Sequence, residues 1–528
     1  MSDSPTDDAD NDIGNYCTWN PLDSYVTLAN GNLSIVGAGD NQAKGTIQVS
    51  SGQYYWEITA QTQADNNQYT GVSSHQVNAD SSADVDAVMY IDNGNKTVDG
   101  TISAYGTGWS DGDVIGVALD CDVPDVEFFL NNVSQGSISI PAGVVAPYTP
   151  GHLSYDSGKL THLNCGQQAF VYTPPTGFLP LHTGNLPAPA VKDASSSFTT
   201  HGYTGTGSAH DEIFGNNTSM DPDLVIIKNR DTTDPWNWVD SVRGATKELN
   251  SNSTAIESTD ANGVDDLSVT DGFGLGSGAA GYNDNGEDFI SYNWKANGSG
   301  SSNTEGSINT TATSANTKAG FSIITYDGNG TAGATIGHAL DEAPDVVIVK
   351  NRDQADGWPF IHRYLTTYAD ANLRVESTAA SGTGDNVFND TAPSSTLITL
   401  GSDHTTNASG ESYVAYAWHE VPGFSKFGVF TGNSSANGPY VFCGFAPSLV
   451  IIKRTDAARV WRVHDNTKLI SGNDAFLELN DVTADQDSST NASTVDFLSN
   501  GFKLRGNSSH QNAGNLIFMA FAEFPFGG

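Results

Sequence analysis

The chain has 528 residues, of which 61 are Asp or Glu and only 22 are Lys or Arg, so its formal net charge is −39 at pH 7. A surface this acidic repels the phosphates of nucleic acids and of anionic membranes, and we therefore exclude both as partners. Hydrophobic residues make up 37% of the chain, enough to build packed cores, and the length predicts several domains.

Residues 1–14 form a polar, acidic leader that lacks the apolar segment of a secretory signal. No apolar run approaches the roughly 18 residues that a membrane-spanning helix needs, so we expect no membrane insertion. The four cysteines, Cys17, Cys121, Cys165 and Cys443, match neither a disulfide framework nor a zinc-binding spacing. Release of the protein by cell lysis fits this combination of features.

Between residues 15 and 178, short runs rich in β-branched and aromatic residues are bounded by Gly, Asn, Asp or Pro. The predicted strands are Asn32–Gly37, Gly45–Val49, Gln53–Thr59, Val114–Asp120, Val126–Asn131 and Gly136–Ile140. Their number and spacing predict a two-sheet antiparallel sandwich. Asn131 and Asn132 predict a hairpin turn because Asn tolerates positive φ. Tyr55 and Trp56 point to opposite faces of one strand, and Trp56 is expected in the core.

Four segments of this region resemble the SPRY family, and they occur in that family's order. They are GQYYWEI from Gly52, GDVIGVALDCD from Gly112, VEFFLNNVSQG from Val126 and NCGQQAFVYTPPTGF from Asn164. The sequence departs from the family pattern at Asn132, which replaces the usual Gly, and at Cys165, which replaces the usual aromatic. The resemblance implies a β-sandwich closed by a strand from Asn164, with variable loops that hold a partner of unspecified identity.

Residues 179–196 contain Pro180, Pro187 and Pro189 and predict a linker or a wrapped connector. Beyond them lies a threefold internal repeat. Its three copies are assigned to residues 197–300, 318–422 and 423–528, and each begins with a strand and a Gly turn, starting at Phe198, Phe321 and Phe427.

Four landmarks recur at matched spacing in the three copies. PDLVIIKNR from Pro222 recurs as PDVVIVKNR from Pro344 and as PSLVIIKRT from Pro447. A Trp follows the Lys of this run by eight residues: Lys228 to Trp236, Lys350 to Trp358 and Lys453 to Trp461. Apolar pairs follow at Phe273–Leu275, Ile398–Leu400 and Phe502–Leu504. Each copy closes on an aromatic strand that ends at Trp294, Trp418 or Phe521.

Each copy has the length of one β-sandwich or jelly-roll domain, so the chain is predicted to be all-β throughout. The VIIK run is apolar at consecutive positions, which predicts a central strand buried on both faces. We expect its Lys to extend toward solvent and the following Trp to cap the same core. The copies form either separate beads or a closed pseudo-threefold ring, and the short joint VPGFSKFGVF favours close packing.

The run Gly410–Asp456 resembles a repeat of unassigned chemistry found in tail-fibre and virion proteins of marine phages. DFLSNGFKLRGN and NLIFMAFAEFPF, near the end of the chain, are similar to the C-terminal unit of the same proteins, and the leader Ser2–Asp23 is similar to their leader. The resemblance therefore implies a location on a virion, in the tail or on the capsid, without assigning an activity.

No motif in the sequence identifies a catalytic, cofactor-binding or metal-binding residue. GNGTAG at Gly328–Gly333 fits G-x-G-x-x-G, but no helix is predicted after it, so we interpret it as a glycine turn. The histidines, among them His152, His162, His201, His338, His362, His419 and His464, are interpreted as half-buried strand-edge residues. Asp8, Asp10 and Asp12 alternate as in Ca²⁺ loops but lack the bidentate Glu, so we assign no cofactor and leave open a Ca²⁺ ion among the other Asp and Asn turns.

The sequence thus favours a non-enzymatic phage virion protein, a tail-fibre or capsid-fibre adhesin that binds a host-surface receptor or glycan. The first alternative is a structural decoration or connector protein that contacts only other virion proteins. The second is a polysaccharide depolymerase with two carboxylates at hydrolase separation. A homotrimer is expected from the symmetry of phage fibres, with a monomer as the alternative because one chain already carries three copies.

Overall fold

The computed structural model describes residues 14–36, 41–62, 68–74, 86–154, 160–278, 280–365, 371–383, 386–468, 475–487 and 493–525. Residues 1–13 of the acidic leader, with Asp8, Asp10 and Asp12, lie outside this set. Strands dominate the described residues, which confirms the predicted all-β class. The chain forms two compact units: unit 1 comprises residues 1–189, 440–444 and 526–528, and unit 2 comprises residues 190–439 and 445–525.

Unit 1 contains two antiparallel sheets. Its strands are β1 (Trp19–Ser24), β2 (Leu28–Ala29), β3 (Ser34–Val36), β4 (Asn41–Gly45), β5 (Gln53–Thr62), β6 (Gln68–Ser74), β7 (Ala87–Ile91), β8 (Asn95–Val98), β9 (Thr101–Ala104), β10 (Val114–Asp120), β11 (Asp125–Leu130), β12 (Val133–Ser139), β13 (Tyr148–Ser154), β14 (Leu160–Asn164) and β15 (Leu179–Pro180). One sheet has the order β1-β4-β13-β6-β7-β8-β9, and the other has the order β12-β11-β10-β5-β14-β3-β2, with β15 parallel to β5.

Most strands predicted for this region are confirmed, and two predictions are wrong. The predicted strand Gly45–Val49 is wrong because β4 ends at Gly45. The closing strand that the SPRY resemblance implied from Asn164 is also wrong, since β14 ends at that residue. Beyond β14, side chains accept the backbone hydrogen bonds that a neighbouring strand would accept. Gln167 accepts the backbone N–H of Cys165 at 2.7 Å, and Asn164 accepts that of Gly166 at 3.0 Å.

The core of unit 1 forms as the alternation along β5 predicts. Trp56 is fully buried in the main cluster of the sandwich, as expected, and Tyr55 on the opposite face is buried as well. Glu57 accepts the backbone N–H groups of Val171 and Tyr172, both at 2.8 Å, and so anchors the irregular segment that follows β14. The hairpin turn at Asn131 and Asn132 is confirmed, with φ values of 50° and 67°.

The proline-rich segment 179–196 is a wrapped connector. Leu181, His182 and Thr183 are buried, and the carbonyl of Leu181 accepts the N–H of Cys17 at 3.0 Å. Two 3₁₀ turns, Thr183–Asn185 and Ala194–Ser196, begin after His182 and Asp193, whose side chains cap them. Of the two alternatives for this segment, the structure therefore selects the packed one.

Unit 2 contains the three copies of the repeat. Copy 1 has β16 (Phe198–Thr204), β17 (His210–Ile213), β18 (Leu224–Asn229), β19 (Asn237–Asp240), β20 (Lys247–Asn250), β21 (Ser258–Thr259), β22 (Val264–Asp266), β23 (Gly272–Leu275) and β24 (Asp288–Trp294). The sheet of copy 2 starts with β25 (Ala312–Asn316), which precedes the residues 318–422 assigned to this copy and pairs with β26 (Phe321–Asp327). Copy 2 then has β27 (Ala334–Gly337), β28 (Val346–Asn351), β29 (Pro359–His362), β30 (Ala371–Arg374), β31 (Gly382–Thr383), β32 (Leu397–Leu400), the short helix α1 (His404–Asn407) and β33 (Ser412–Trp418).

Copy 3 has β34 (Ser425–Asn433), β36 (Phe445–Arg454), β37 (Trp461–Asp465), a 3₁₀ turn (Asn466–Lys468), β38 (Ala475–Glu478), β39 (Gln486–Asp487), β40 (Val495–Leu498), β41 (Gly501–Leu504) and β42 (Ala513–Pro525). The intervening β35 (Tyr440–Phe442) falls within residues 440–444, which belong to unit 1.

The three copies share one topology. Their main sheets have the orders β16-β24-β18-β19-β20-β21, β25-β26-β33-β28-β29-β30-β31 and β34-β42-β36-β37-β38-β39. The VIIK strands β18, β28 and β36 lie inside these sheets, as the consecutive apolar residues predicted. Copy 3 differs in register from the sequence alignment: Ser425, not Phe427, pairs with Phe521 as Phe198 and Phe321 pair with Trp294 and Trp418.

The expectation that the repeated lysines extend toward solvent is wrong. Lys228, Lys350 and Lys453 are fully buried. Their ammonium groups donate to backbone carbonyls, including those of Asn229 at 2.6 Å and Asn351 at 2.6 Å. Burial lowers the pKa of Lys350 and of Lys453 to about 8. The lysines therefore hold the loops at the end of the central strands.

Candidate functional site

The three copies of unit 2 meet around a shared apolar axis. A small cavity of about 30 Å³ lies there, lined by side chains that all three copies contribute. The lining residues are Ile226, Trp236, Trp238, Tyr292, Trp294, Ile348, Phe360, Val375, Trp418, Ile451, Trp461, Val463, Leu479 and Met519. The open question of beads or closed ring is thereby decided within unit 2. The repeats form a closed pseudo-threefold ring.

The repeated Trp of each copy joins that copy to a neighbour. The indole N–H of Trp358 donates to Ser253 of copy 1 at 3.0 Å, and that of Trp461 donates to Arg374 of copy 2 at 3.1 Å. The ring closes where Trp236 of copy 1 donates to Glu478 of copy 3 at 2.9 Å. All three acceptors are backbone carbonyls, so this contact does not depend on the acceptor side chains, which differ among the copies.

A buried hydroxyl–carboxylate pair reinforces two of the three joints. Tyr416 of copy 2 donates to Asp240 of copy 1 at 2.8 Å, and Tyr292 of copy 1 donates to Asp465 of copy 3 at 2.7 Å. All four side chains are buried. A charge-assisted hydrogen bond in such surroundings is stronger than one in water.

At the third joint both partners differ together. Met519 takes the place of the tyrosines, and His362 takes the place of the aspartates, each at the equivalent position of its strand. The Nδ1 atom of His362 accepts the N–H of Tyr364 at 3.2 Å, which leaves Nε2 to donate to the carbonyl of Phe518 at 3.3 Å. Burial lowers the pKa of His362 to about 3, so the ring stays neutral. At this joint the neutral His362 therefore stands in place of the carboxylate, and Met519 stands in place of the tyrosine hydroxyl.

Backbone hydrogen bonds and ion pairs complete the joints. Each joint has one equivalent backbone bond, from Glu257 to Arg352 at 3.0 Å, from Ser381 to Thr455 at 2.8 Å and from Asp485 to Arg230 at 2.8 Å. Arg352 also donates to the carboxylate of Glu257 through Nε at 2.7 Å and Nη2 at 2.8 Å. Burial would raise the pKa of Glu257, but the hydrogen bonds and charges of Arg352 and Arg243 lower it overall. The ring is therefore fastened by specific polar contacts around its apolar axis.

A cluster of three carboxylates lies at the loop end of copy 1. Oxygens of Asp234, Asp284 and Glu287 lie within 4.8 Å of one another, and all three side chains are partly buried. The amide of Asn229 donates to Asp234 at 2.7 Å and also to Glu287. These are the oxygen donors that a hard cation such as Ca²⁺ prefers.

The corresponding loops of the other two copies contain a histidine or an arginine. In copy 2, His404 lies 3.0 Å from Asp356, the counterpart of Asp234, and this contact raises the pKa of the imidazole. In copy 3, Arg459 stands at the position of Asp234. Copy 3 therefore has an arginine, and copy 2 has a histidine beside a carboxylate, in the loop where copy 1 has three carboxylates.

An open polar cleft of about 360 Å³ lies in copy 2. It is lined by Asn372, Arg374, Gly382, Thr383, Asn386, Val387 and Asp403. The cleft combines a guanidinium, a carboxylate, two amides and a hydroxyl, which is a set of donors and acceptors suited to a polar ligand. No motif in the sequence marks this cleft, although Pro359 stands where the other two copies have a polar residue.

Several side chains singled out in the sequence lie away from any such site. His152, His338, His362, His419 and His464 are buried, so their assignment as half-buried strand-edge residues is wrong, while His162 and His201 are partly buried as expected. All nine tryptophans are buried. GNGTAG forms a turn that leads into β27, with no helix after it, as predicted. Among the described residues, the aromatic side chains that recur in the three copies are therefore buried.

Unit 1 presents apolar side chains near one edge of its sandwich. Val133 on the edge strand β12 is 63% exposed, and Ile102 on the edge strand β9 is 52% exposed. Val123, in the turn between β10 and β11, is 70% exposed at the opposite end of β11 from Val133. The side chain of Gln135 on the edge strand β12 accepts the N–H of Thr107 at 2.8 Å, which ties the segment after β9 to β12. The segment after β9 and the edge strand β12 therefore lie close together.

Two family descriptions match the chain. "Domain of unknown function (DUF7483)" matches residues 193–525, and "SPRY domain" matches residues 53–140. The SPRY resemblance predicted from the sequence is thereby confirmed for those residues. No curated protein matches the chain.

Solved SPRY domains resemble the N-terminal part at low identity. The SPRY domain of human HERC1 is 19% identical, with a TM-score of 0.25, and the match covers 29% of this chain and 99% of that one. The PSpry domain of TRIM65 is 16% identical, with a TM-score of 0.23, and covers 28% and 93%. A human SPRY domain is 17% identical, with a TM-score of 0.22, and covers 27% and 96%. Among the described residues, no helix has the length and apolar character to cross a bilayer.

Proposed function

The chain belongs to the family described as "Domain of unknown function (DUF7483)", and we propose that this member is a non-enzymatic adhesin on the exterior of a bacteriophage particle. It binds a receptor or glycan on the host surface through loops of the SPRY domain and of the repeat ring. Other virion proteins hold it on the tail or the capsid.

The observation that carries this proposal is the closed ring of unit 2. Its repeated tryptophans line the axis and join the copies, so the ring is a packed base that can position the loops around it. Binding residues are commonly placed on loops that a rigid scaffold positions. The SPRY domain supplies a second scaffold of the same kind.

The virion location is supported by sequence rather than by geometry. The segments around Gly410–Asp456 resemble repeats of phage tail-fibre and virion proteins, and a net charge of −39 keeps a displayed protein dispersed.

A non-enzymatic role is supported by the contacts of the carboxylate cluster. Its Asp234 and Glu287 accept the amide of Asn229, and Asp234 also accepts the hydroxyl of Thr232 at 2.6 Å, so both brace a turn.

The test measures location and adsorption separately. Purified particles are digested for peptide mass spectrometry, and the purified full chain is added to host cells before the phage. We expect peptides of this chain in intact virions and a dose-dependent loss of phage adsorption. Absence of the peptides from purified particles contradicts the proposal. Release of reducing ends from host polysaccharide by the purified chain contradicts its non-enzymatic part.

The exposed apolar residues of unit 1 favour a second candidate, a structural connector. Apolar side chains such as Ile102 and Val133 on two edge strands suit a permanent contact with another virion subunit. Peptides of the chain in virions, together with unchanged phage adsorption when free chain is added, would favour this alternative.

A further inference from the structure

We propose that the cleft of copy 2 is the site where this protein binds a neutral sugar ring, through hydrogen bonds from Arg374 and to Asp403. The inference rests on the proposed adhesin function and assigns it a ligand class and a position. The cleft, of about 360 Å³, has the volume of a small-ligand site.

A comparison of the three copies shows that one cross-strand pair lacks a polar partner in copy 2 alone. In copy 3, Arg462 pairs across the strands with Glu478, and their side chains form an ion pair at 2.6 Å. In copy 1, the equivalent cross-strand pair is Asn237 and Asn250, whose side chains hydrogen-bond at 2.8 Å.

In copy 2, the residue opposite Arg374 is Pro359, which has no polar side chain. The Nη1 atom of Arg374 is buried and has no hydrogen-bond partner among the described residues. A buried donor of this kind favours any acceptor that can reach it. Arg374 lines the cleft, so an acceptor that enters the cleft and reaches the guanidinium can supply the contact that Pro359 does not.

Asp403 provides the complementary acceptor. Its carboxylate caps the N-terminus of α1. It accepts hydrogen bonds from the N–H of Thr405 at 2.9 Å and from the hydroxyl of the same residue at 2.6 Å. Burial would raise the pKa of Asp403, but these hydrogen bonds lower it overall, so the group is ionised at neutral pH. An ionised carboxylate accepts hydrogen bonds from ligand hydroxyls.

The charge of the cleft selects the ligand class. One guanidinium and one carboxylate balance each other, and the remaining polar groups are the neutral amides of Asn372 and Asn386 and the hydroxyl of Thr383. A chain with a net charge of −39 repels anions at long range. A neutral ring with neighbouring hydroxyls can both donate to Asp403 and accept from Arg374, and it meets no such repulsion.

The experiment is saturation-transfer NMR on the full chain with the methyl glycosides of glucose, galactose, mannose and N-acetylglucosamine, and with methyl glucuronide as the anionic probe. We expect saturation transfer to at least one neutral glycoside. Arg374→Met and Asp403→Asn should each weaken that binding at least tenfold. Asn also begins helices well, so the second variant keeps the cap of α1 and tests the site even where Arg374→Met fails to fold.

Arg363→Met is the matched control, because Arg363 is half exposed and pairs with Asp345 rather than lining the cleft. It should bind the glycoside as the wild type does. No transfer to any neutral glycoside, transfer to methyl glucuronide alone, or wild-type binding by Asp403→Asn overturns the proposal. If the free chain blocks phage adsorption and the cleft variants block it equally well, the adhesin function stands and this site is wrong. If the chain is absent from virions, the adhesin function fails independently of glycoside binding.

Discussion

Tyr416→Phe should weaken the joint between copies 1 and 2, because it removes only the hydroxyl that donates to Asp240 at 2.8 Å. Both side chains are fully buried, so the carboxylate loses a donor without gaining water. Hydrogen bonds to charged groups contribute roughly 1.5–3 kcal/mol, and we expect the free energy of unfolding of unit 2 to fall by that amount. Tyr292→Phe should give a loss of the same size, since Tyr292 donates to the buried Asp465 at 2.7 Å.

The measurement is guanidinium unfolding of the full chain, followed by tryptophan fluorescence. Tyr326→Phe is the control, because the hydroxyl of Tyr326 donates at 2.7 Å to a neutral carbonyl, that of Thr406, within a single copy. A neutral bond of this kind contributes roughly 0.5–1.5 kcal/mol. If Tyr416→Phe and Tyr292→Phe cost no more than Tyr326→Phe, the buried hydroxyl–carboxylate pairs do not fasten the ring and the reasoning is refuted.

Three further predictions concern the same ring. Burial lowers the folded-state pKa of His362 to about 3, below its unfolded value, so the unfolded state binds the proton first and stability should fall as the pH drops below about 6.5. His362→Gln should flatten this slope in thermal unfolding between pH 6.5 and 4, and an unchanged slope contradicts the assignment. Lys350 and Lys453 also have folded-state pKa values lowered, to about 8, so stability should rise between pH 8 and the unfolded value near 10.5. Replacing both lysines by Met should remove that rise in chemical unfolding at pH 8 and 9.5, and a rise that persists would argue against it. Val463→Ile should fill part of the axial cavity and stabilise unit 2 by roughly 0.5–2 kcal/mol. The same change at Val349, which is packed in a core cluster without lining the cavity, should destabilise it by roughly 1–3 kcal/mol, and equal shifts in Tm would contradict the difference.

Local pattern predicted the elements of this fold well. The runs from Pro222, Pro344 and Pro447 are apolar at consecutive positions, and such runs are buried on both faces wherever the chain folds. The turn at Asn131 and Asn132 followed from the tolerance of Asn for positive φ. Predictions failed where side chains replaced the strand ladder, as at Asn164 and Gln167, because a competing hydrogen bond leaves no trace in hydrophobic alternation.

The candidate site could not be found in the same way. Arg374 looks like an ordinary strand residue in the sequence, and its missing partner becomes visible only once Pro359 is known to lie opposite it. The sequences of the three copies include Arg462 and Glu478, but only the strand register shows that this pair corresponds to Pro359 and Arg374.

By itself, the sequence determined the all-β class, the SPRY segment and the three copies, since strand periodicity and internal repetition are properties of neighbouring residues. Only the tertiary structure decided that the copies close into a ring, that Lys350 is buried, and that His362 replaces an aspartate where Met519 replaces a tyrosine. The physical reason is that hydrophobic pattern reports whether a side chain is covered. It does not report which distant surface covers it.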